Sequence, residues 1–599
     1  MTENPGTESV EELLKLVDQG DYAIPHFQRG FEWRPGMVSD LVQSIIQNYY
    51  TGLLLLWELS QDQASNDQWD PVWGARLNGN PGYAILDGQQ RLSSLYYALY
   101  NPKRKFPNRK SYYAFYIDLV QILNQEFDNG IDYKFFTYYR SWEDFYSEKD
   151  KWAQTGKVPL SILSVNHPSE TNKSFIDSRE FYDWSLEFLE NHSEKLSSDI
   201  VPHDIRDVFN SILKYQFVYY PLSSSRDIPD ICNIFARVNE KGMKLSTFDL
   251  LNAFLYPKGV QLRKDLWENL DNELLKSIDS NVPEYLLKLV SLVKQNYCSS
   301  KYLYNLIPEE KTTRKDEEGN KHEVILVESG DEFKNLWRGS CKFAEKAREM
   351  IMNTGEADFG AIKTDFIPNT TIIPVLGALL WIFEGDVDEP LFKNYVQKWY
   401  WSAAFSEDYS GSSDSVMAKD FRDWKLWIDN KTPIERIKKI NKEYIQEMDF
   451  KTIRKGSSRY NAILCLLALN NASDFYKKRQ AGSGDYVSSR INDHHIFPSK
   501  VNGLDPSKNQ SFKETKDSIA NRTLLFDETN GKIKNKKPSK YLDEIIKKHG
   551  GEQKVKNILK GHFITESAYN FLKNDNYDQF ILEREKAIKQ HLINKLELS

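Results

Sequence analysis

Cysteine is scarce in this chain: Cys232, Cys298, Cys341 and Cys465 are the only four in 599 residues, and no two form a Cys-x-x-Cys pair. That spacing argues against a cysteine-ligated structural zinc site and for a reducing compartment, the cytoplasm. Long apolar runs are also missing. The longest, Thr371 to Phe383, contains Pro374 and falls short of the roughly 18 residues a membrane span needs. The beginning of the chain is acidic rather than basic and apolar, so neither a secretory signal nor a membrane anchor is expected. An excess of positive charge is absent as well. With 79 Lys and Arg against 86 Asp and Glu, the net charge is −7. Bulk coating of nucleic acid is therefore excluded, and any DNA contact has to come from a local patch. No internal repeat is evident.

What is present is length for two to four domains, and an aromatic content of 13%. Val10 to Val17 has helical spacing. Ile24 to Pro35 is bounded by prolines and is expected to be irregular. Met37 to Gln47 reads as an amphipathic helix with Val38, Leu41, Val42, Ile45 and Ile46 on one face. Leu53 to Leu59 is a buried-strand pattern, Tyr83 to Leu86 a second strand, and Gln89 to about Tyr100 a helix. Asp87–Gly88–Gln89–Gln90–Arg91 thus falls on a strand–turn–helix junction. Free N–H groups and the positive end of a helix dipole make such a junction an anion site. Arg91 is placed to fork onto a phosphate, and Gln89 and Gln90 to bond a sugar or base. The same residues fit a plain capped turn with a solvated arginine.

Two further stretches accompany that motif. One is Gln28–Arg29 with Phe31 and Trp33. The other is Ile234 to Ser246, with Asp249 and Leu250 opening a helix. Together and in this order they resemble the N-terminal domain of the GmrSD family, which is similar to ParB nucleases. The resemblance implies nucleoside-triphosphate binding and hydrolysis at Asp87, Gly88, Gln89, Gln90 and Arg91, with Gln28, Arg29 and Asn239 as neighbours. Asn239 fits a ligand contact and a helix-end residue ahead of Gly242 equally well.

Tyr112 to Leu119 and Phe217 to Tyr220 read as strands that complete the sheet. From Phe248 to Phe450 the pattern is mostly helical, over Leu266 to Ile278, Glu284 to Tyr297, Phe333 to Met352 and Leu391 to Phe405. Polar stretches interrupt it at Pro308–His322 and Ser406–Asp414, the first able to form a hairpin with Val324 to Val327. Tyr395, Trp399, Tyr400 and Trp401 suggest base stacking, but aromatics at helical spacing are more often core. No catalytic constellation is visible there.

The C-terminal part carries the sharpest signal. Ile491–Asn492–Asp493–His494–His495–Ile496–Phe497–Pro498 ends a short apolar run on two adjacent histidines. Asn521 and a β-like run, Thr523 to Phe526, follow. Asn530 comes nine residues after Asn521, in a Lys-rich stretch predicted as a loop. A helix then starts at Pro538–Ser539 and stops at Gly550. Hydrolysing a phosphodiester with one cation needs a few N or O ligands, open positions and a base to activate water. These residues resemble the ββα-metal domain of HNH nucleases. The resemblance implies that His494 and Asn530 hold a divalent metal, Mg²⁺ or Mn²⁺, and that His495 is the general base. It also implies that Asn521 fixes the loop that aims His495. His494 stands where Asp is usual, which favours Mn²⁺ somewhat. Asp493 is expected to support a histidine. Lysines crowd this region, among them Lys532 and Lys536, the expected footprint of DNA-backbone contact.

The combined expectation is an α+β multidomain protein. It consists of a ParB-like α/β nucleotide-binding and sensing domain (1–255), a helical coupling region (256–450) and an HNH nuclease domain (451–599). The resemblance at both ends implies a type IV, modification-dependent restriction enzyme of antiviral defence. Such an enzyme would be NTP-regulated, metal-dependent and active on modified double-stranded DNA; a homodimer is compatible with it. A non-cleaving, NTP-switched DNA-binding regulator and a nuclease toxin without modification specificity are the alternatives. Metal-dependent plasmid conversion separates the first, and equal cutting of modified and unmodified DNA identifies the second.

Overall fold

The structure, a computed structural model, describes residues 4–597 except 66–67, 101–103, 107–108, 110, 128–129, 136–147, 164–174, 241–245, 316–319, 385–388, 412, 478–490 and 502–509. The chain divides into two compact units, Met1–Glu268 and Asn269–Ser599. The second holds residues 269–450 of the stretch read as a helical coupling region, together with the stretch that carries the histidine pair.

The first unit is built on a mixed six-stranded sheet. In chain order its strands and main helices are β1 (Gly6–Ser9), α1 (Val10–Gln19), β2 (Tyr22–Pro25), α2 (Pro35–Ile46), β3 (Leu54–Glu58), β4 (Trp69–Pro71), β5 (Tyr83–Asp87) and α3 (Gln89–Tyr100). After three strands of a second sheet, β6 (Tyr113–Asp118), β7 (Ile131–Phe135) and β8 (Lys157–Pro159), come β9 (Gln216–Leu222), α4 (Ile228–Glu240) and α5 (Thr247–Leu255). The large sheet has the order β1-β9-β3-β5-β2-β4, with β3–β9 and β2–β5 parallel and the other pairs antiparallel.

Period-two alternation explains why this sheet is covered on both sides. Leu54, Leu56 and Ile85 enter one core with α1, α2 and α3. Leu55, Trp57, Ala84 and Leu86 enter the other, with Phe235 and Ala253 of α4 and α5. Strand β5 is therefore interior, and its end delivers Asp87 to a crevice between helices. The expectation that Tyr112 to Leu119 completes the same sheet is corrected. Those residues form the middle of a separate three-stranded sheet, β7-β6-β8, whose Tyr113, Phe115 and Ile117 pack into the core on the α1 side. The large sheet's edges are taken by β1 and β4.

The second unit is mainly helical. It contains α6 (Val282–Gln295), a hairpin of β10 (Lys311–Lys315) and β11 (Lys321–Ile325), α7 (Gly330–Met352), α8 (Ile373–Ile382), α9 (Glu389–Ser406) and α10 (Ser413–Asn430). Next come α11 (Ser458–Leu469), β12 (Ile491–His495), β13 (Arg522–Phe526), α12 (Asp527–Ile533), α13 (Pro538–His549) and α14 (Tyr577–Lys595). Trp399, Tyr400 and Trp401 are fully buried, which makes them core rather than a stacking platform. Residues 266–278, read as one helix, instead close the π-helical turn Leu262–Glu268 and form a short helix at Glu273–Lys276. Helix α11 is apolar all round and buried from Tyr460 to Ala468, as a central helix must be. It packs on β13 and on α9. Strands β12 and β13 pair antiparallel, Ile491 opposite Phe526 and His495 opposite Arg522.

Candidate functional site

In the first unit, Gly88 joins β5 to α3 with φ +102°, and a Cβ there would meet Leu54 Cδ2 at 2.2 Å. Only glycine makes this turn without displacing the strand next to it. The first intrahelical bond runs from Leu92 N–H to Gly88 O. The N–H groups of Gln89, Gln90 and Arg91 therefore head the helix ahead of its ladder. These three residues border a cavity of about 510 Å³ that Gln28, Arg29, Trp33, Asp87 and Phe235 also line. Helix α4 supplies the opposite wall. Asn239 is in α4, but its side chain lies outside the described residues.

The motif side chains have protein partners, Gln89 and Gln90 included. Gln89 Nε2 donates to Arg29 O at 3.0 Å, and Gln90 Nε2 to Gly30 O at 2.9 Å. Gln90 Oε1 accepts from Glu32 N–H at 2.8 Å, while Gln28 Nε2 donates to Ile85 O at 2.6 Å. The segment from Gln28 to Trp33 has no regular structure of its own. Its buried backbone groups need partners, and the glutamines provide them. Arg91 is likewise engaged: Nη1 donates to Thr51 O, and Nη2 to Leu53 O, both at 2.7 Å. Nη2 also meets Asp87 Oδ2 at 3.0 Å. A fork onto phosphate would have to exchange these partners. Arg29 pairs with Glu32 at 3.0 Å. The motif is thus a lock that shapes the cavity at the head of α3.

Arg91→Ala is accordingly expected to destabilise this unit by about 1–3 kcal/mol, because two carbonyls lose their donor. Arg91→Lys should restore little, since an ammonium does not present a planar fork. Urea unfolding of the full chain checks this; an unshifted first-unit transition would refute it.

In the second unit, the histidine pair ends β12 and its two rings face different partners. His494 Nε2 lies 3.0 Å from Asp527 Oδ1, in the first turn of α12. Asn492, on the same face of β12, donates to the same Asp527 oxygen at 2.9 Å. Burial pushes the His494 imidazole below its ordinary value, with Asp527 acting the other way. His495 Nε2 lies 2.8 Å from Asp517 Oδ1. Arg522 Nη1 approaches both ring nitrogens of His495, at 2.8 Å from Nδ1 and 2.7 Å from Nε2. A carboxylate only accepts and a guanidinium only donates. The compatible tautomer is neutral, with Nε2–H donating to Asp517 and Nδ1 facing Arg522. Burial, and next the Arg522 charge, lower the pKa of this ring.

Asn521 is fully buried and ties down the chain that follows the pair. Its Oδ1 accepts from Phe497 N–H at 2.8 Å, and its Nδ2 donates to Phe497 O at 2.9 Å and Lys516 O at 2.8 Å. Asn530 is not in a loop; it lies in α12, exposed, one turn after Asp527 on the same helical face. Asp527 and Glu528 at the start of that helix favour it through the dipole. Asp493 supports no histidine directly, contrary to expectation. It accepts from Arg522 Nη2 at 2.6 Å and Nε at 3.0 Å, and from the Tyr460 hydroxyl. Burial raises its pKa, but Tyr460 and Arg522 outweigh that and hold the carboxyl below its usual value. Lys532 is exposed, and Lys536 pairs with Glu544 at 2.7 Å.

Asp517, Arg522 and Asp527 are the residues the sequence reading missed. Arg522 directly follows Asn521 and stands opposite His495 in the strand register, which is the signal that identifies it. Among the described residues, no group of three or more His, Cys, Asp or Glu side chains is arranged to hold an ion.

Behind β13, His562 is fully buried, with Nδ1 2.6 Å from Thr523 Oγ1 and Nε2 2.6 Å from Ser473 O. Burial pushes its pKa down to about 3. A base with a depressed folded pKa contributes stability that is complete above its unfolded value, about 6.5, and is lost as the pH falls toward the folded value. At pH 5 the expected loss is about 2 kcal/mol. In urea unfolding at pH 7 and pH 5, His562→Gln should shrink the difference between the two pH values by that amount. An unchanged difference would contradict the buried neutral ring.

Residues 10–256 match the GmrSD restriction endonuclease N-terminal domain, and the chain belongs to this restriction-endonuclease family. The family implies a nuclease that acts on DNA. Among its relatives is the uncharacterized protein MJ0686 of Methanocaldococcus jannaschii, 31% identical over 635 aligned positions that cover 98% of each chain. Among the described residues, no helix is long and apolar enough to cross a membrane.

Proposed function

We propose that the chain is an HNH-type, metal-dependent DNA endonuclease regulated by a nucleoside triphosphate and directed at modified DNA. The observation that carries the nuclease reading is the arrangement at the end of β12. His494 meets a carboxylate on one face, and His495 is oriented by Asp517 and Arg522 on the other. Asn521 pins the loop between them and β13.

The residues fit a single divalent cation. A neutral His494 nitrogen and the Asp527 carboxylate offer two donors 3.0 Å apart, and the Asn530 carboxamide is one helical turn from Asp527. Hard cations bound by one or two protein groups keep waters and take substrate phosphate oxygens. The bound ion would polarise the scissile phosphate and stabilise the departing oxygen. His495 would take the proton from the attacking water at Nδ1, which requires Arg522 Nη1 to move off that nitrogen. Asp517 would keep the ring oriented and stabilise the imidazolium. Asn521 would hold Phe497 and Lys516 so that the ring does not drift.

The nucleotide reading is supported by the family match and by the cavity at the head of α3. Its lining pairs Arg29 with Glu32 and Arg91 with Asp87. The helix N-terminus is therefore the element offered to a phosphate. The test is conversion of supercoiled plasmid across a panel of modified DNAs, with and without each NTP. NTP-sensitive cutting confined to one modification supports the whole reading. Equal cutting of modified and unmodified DNA makes the protein an unspecific nuclease, and no cutting with any metal makes it a binding regulator.

A further inference from the structure

We propose that Lys363 and Lys455 are the two phosphate-binding cations of the cut DNA strand. They are donated by segments outside the strand–loop–strand unit and set one on each side of the histidine pair. The inference rests on the nuclease reading of β12 and names the part of its DNA contact that the lysine-rich C-terminal stretch does not supply.

Side chains alternate along β12, so Asn492 and His494 share one face and Asp493 and His495 the other. Lys363 Nζ donates to Asn492 Oδ1 at 2.6 Å, on the His494 face. Asn492 in turn bonds the Asp527 oxygen that meets His494. Lys455 Nζ lies 3.4 Å from Asp493 Oδ1, on the His495 face. Neither ammonium is neutralised by these contacts. The partner of Lys363 is an uncharged amide, and among the described residues no carboxylate lies within ion-pair distance of it. The partner of Lys455 is a carboxylate already held by Arg522 through two nitrogens. Lys455 keeps 65% of its side chain exposed, and Lys363 is half-buried. By contrast, Lys536 is bound by both oxygens of Glu544.

One rigid element positions both lysines. Asn461 of α11 donates to Asp365 O at 3.0 Å and Ile367 O at 3.3 Å, which holds the turn that starts at Lys363. Lys455 stands two residues before Ser457, the residue that caps the same helix. Tyr460, in the first turn of α11, bonds Asp493. A buried helix thus fixes two surplus positive charges beside a strand whose proposed substrate carries one negative charge per nucleotide. Such charges raise the local concentration of DNA and set its register without reading bases.

The test uses the full chain and a short unmodified duplex in EDTA, so that binding is read without cleavage. Lys363→Gln and Lys455→Gln should each flatten the slope of log affinity against log salt by about 0.9, and the double variant by about 1.8. Lys363→Arg should keep the wild-type slope, which separates loss of charge from loss of the Asn492 contact. Slopes unchanged in both glutamine variants would overturn the proposal. A flattened slope in a protein that cuts no DNA with any metal would keep the DNA-binding face and overturn the nuclease reading instead.

Discussion

His495→Ala is expected to lower metal-dependent nicking of supercoiled plasmid by about 10²–10⁴-fold, the usual effect of losing a general base. Metal binding should be nearly unchanged, because the nitrogen and oxygen donors at His494, Asp527 and Asn530 are on the other face of β12. The orientation of the ring makes this specific. Asp517 accepts the hydrogen bond from Nε2–H, so Nδ1 is the site that accepts a proton from water. Calorimetric Mn²⁺ titration alongside the nicking assay checks both halves. A variant that loses metal affinity in step with activity would mean that His495, not His494, is the ligand.

His494→Ala is expected to act through the cation. Removing one of two facing donors should raise the metal concentration needed for half-maximal nicking. At saturating Mn²⁺, part of the rate should return. Combined with His495→Ala, it should cost little more than His495→Ala alone, since groups that act as one unit are not additive. Two independent, multiplying losses in that double variant would argue that the histidines serve separate functions.

Much of the frame was legible because local pattern and tertiary packing agree there. Leu53 to Leu59 alternates into two cores, and the Gly-bounded junction at Asp87–Gly88 has one backbone solution. The two strands around the histidine pair were also legible, since Ile491 to His495 and Thr523 to Phe526 carry strand patterns and do pair. The partners of the histidines were not. Asp517 and Asp527 reach the histidines across 22 and 33 positions in sequence, and no local period reports such a meeting. The glutamines of the junction illustrate a different limit. Their polarity suggested a ligand, but an irregular buried segment from Gln28 to Trp33 needed donors and acceptors first. Asn530 reads as a loop residue in sequence because Gly531 and the lysines around it obscure the acidic first turn of α12. Tyr112 to Leu119 has a strand pattern that does not say which sheet it joins.

The claim that the histidine pair is a one-metal nuclease centre is tested most directly by nicking rate against Mn²⁺ concentration for the wild type and the two single variants. The account predicts three separate curves: saturation for the wild type, a shift to higher Mn²⁺ with partial recovery for His494→Ala, and a flat line near background for His495→Ala. Three superimposed curves would contradict it and place any nuclease elsewhere in the chain.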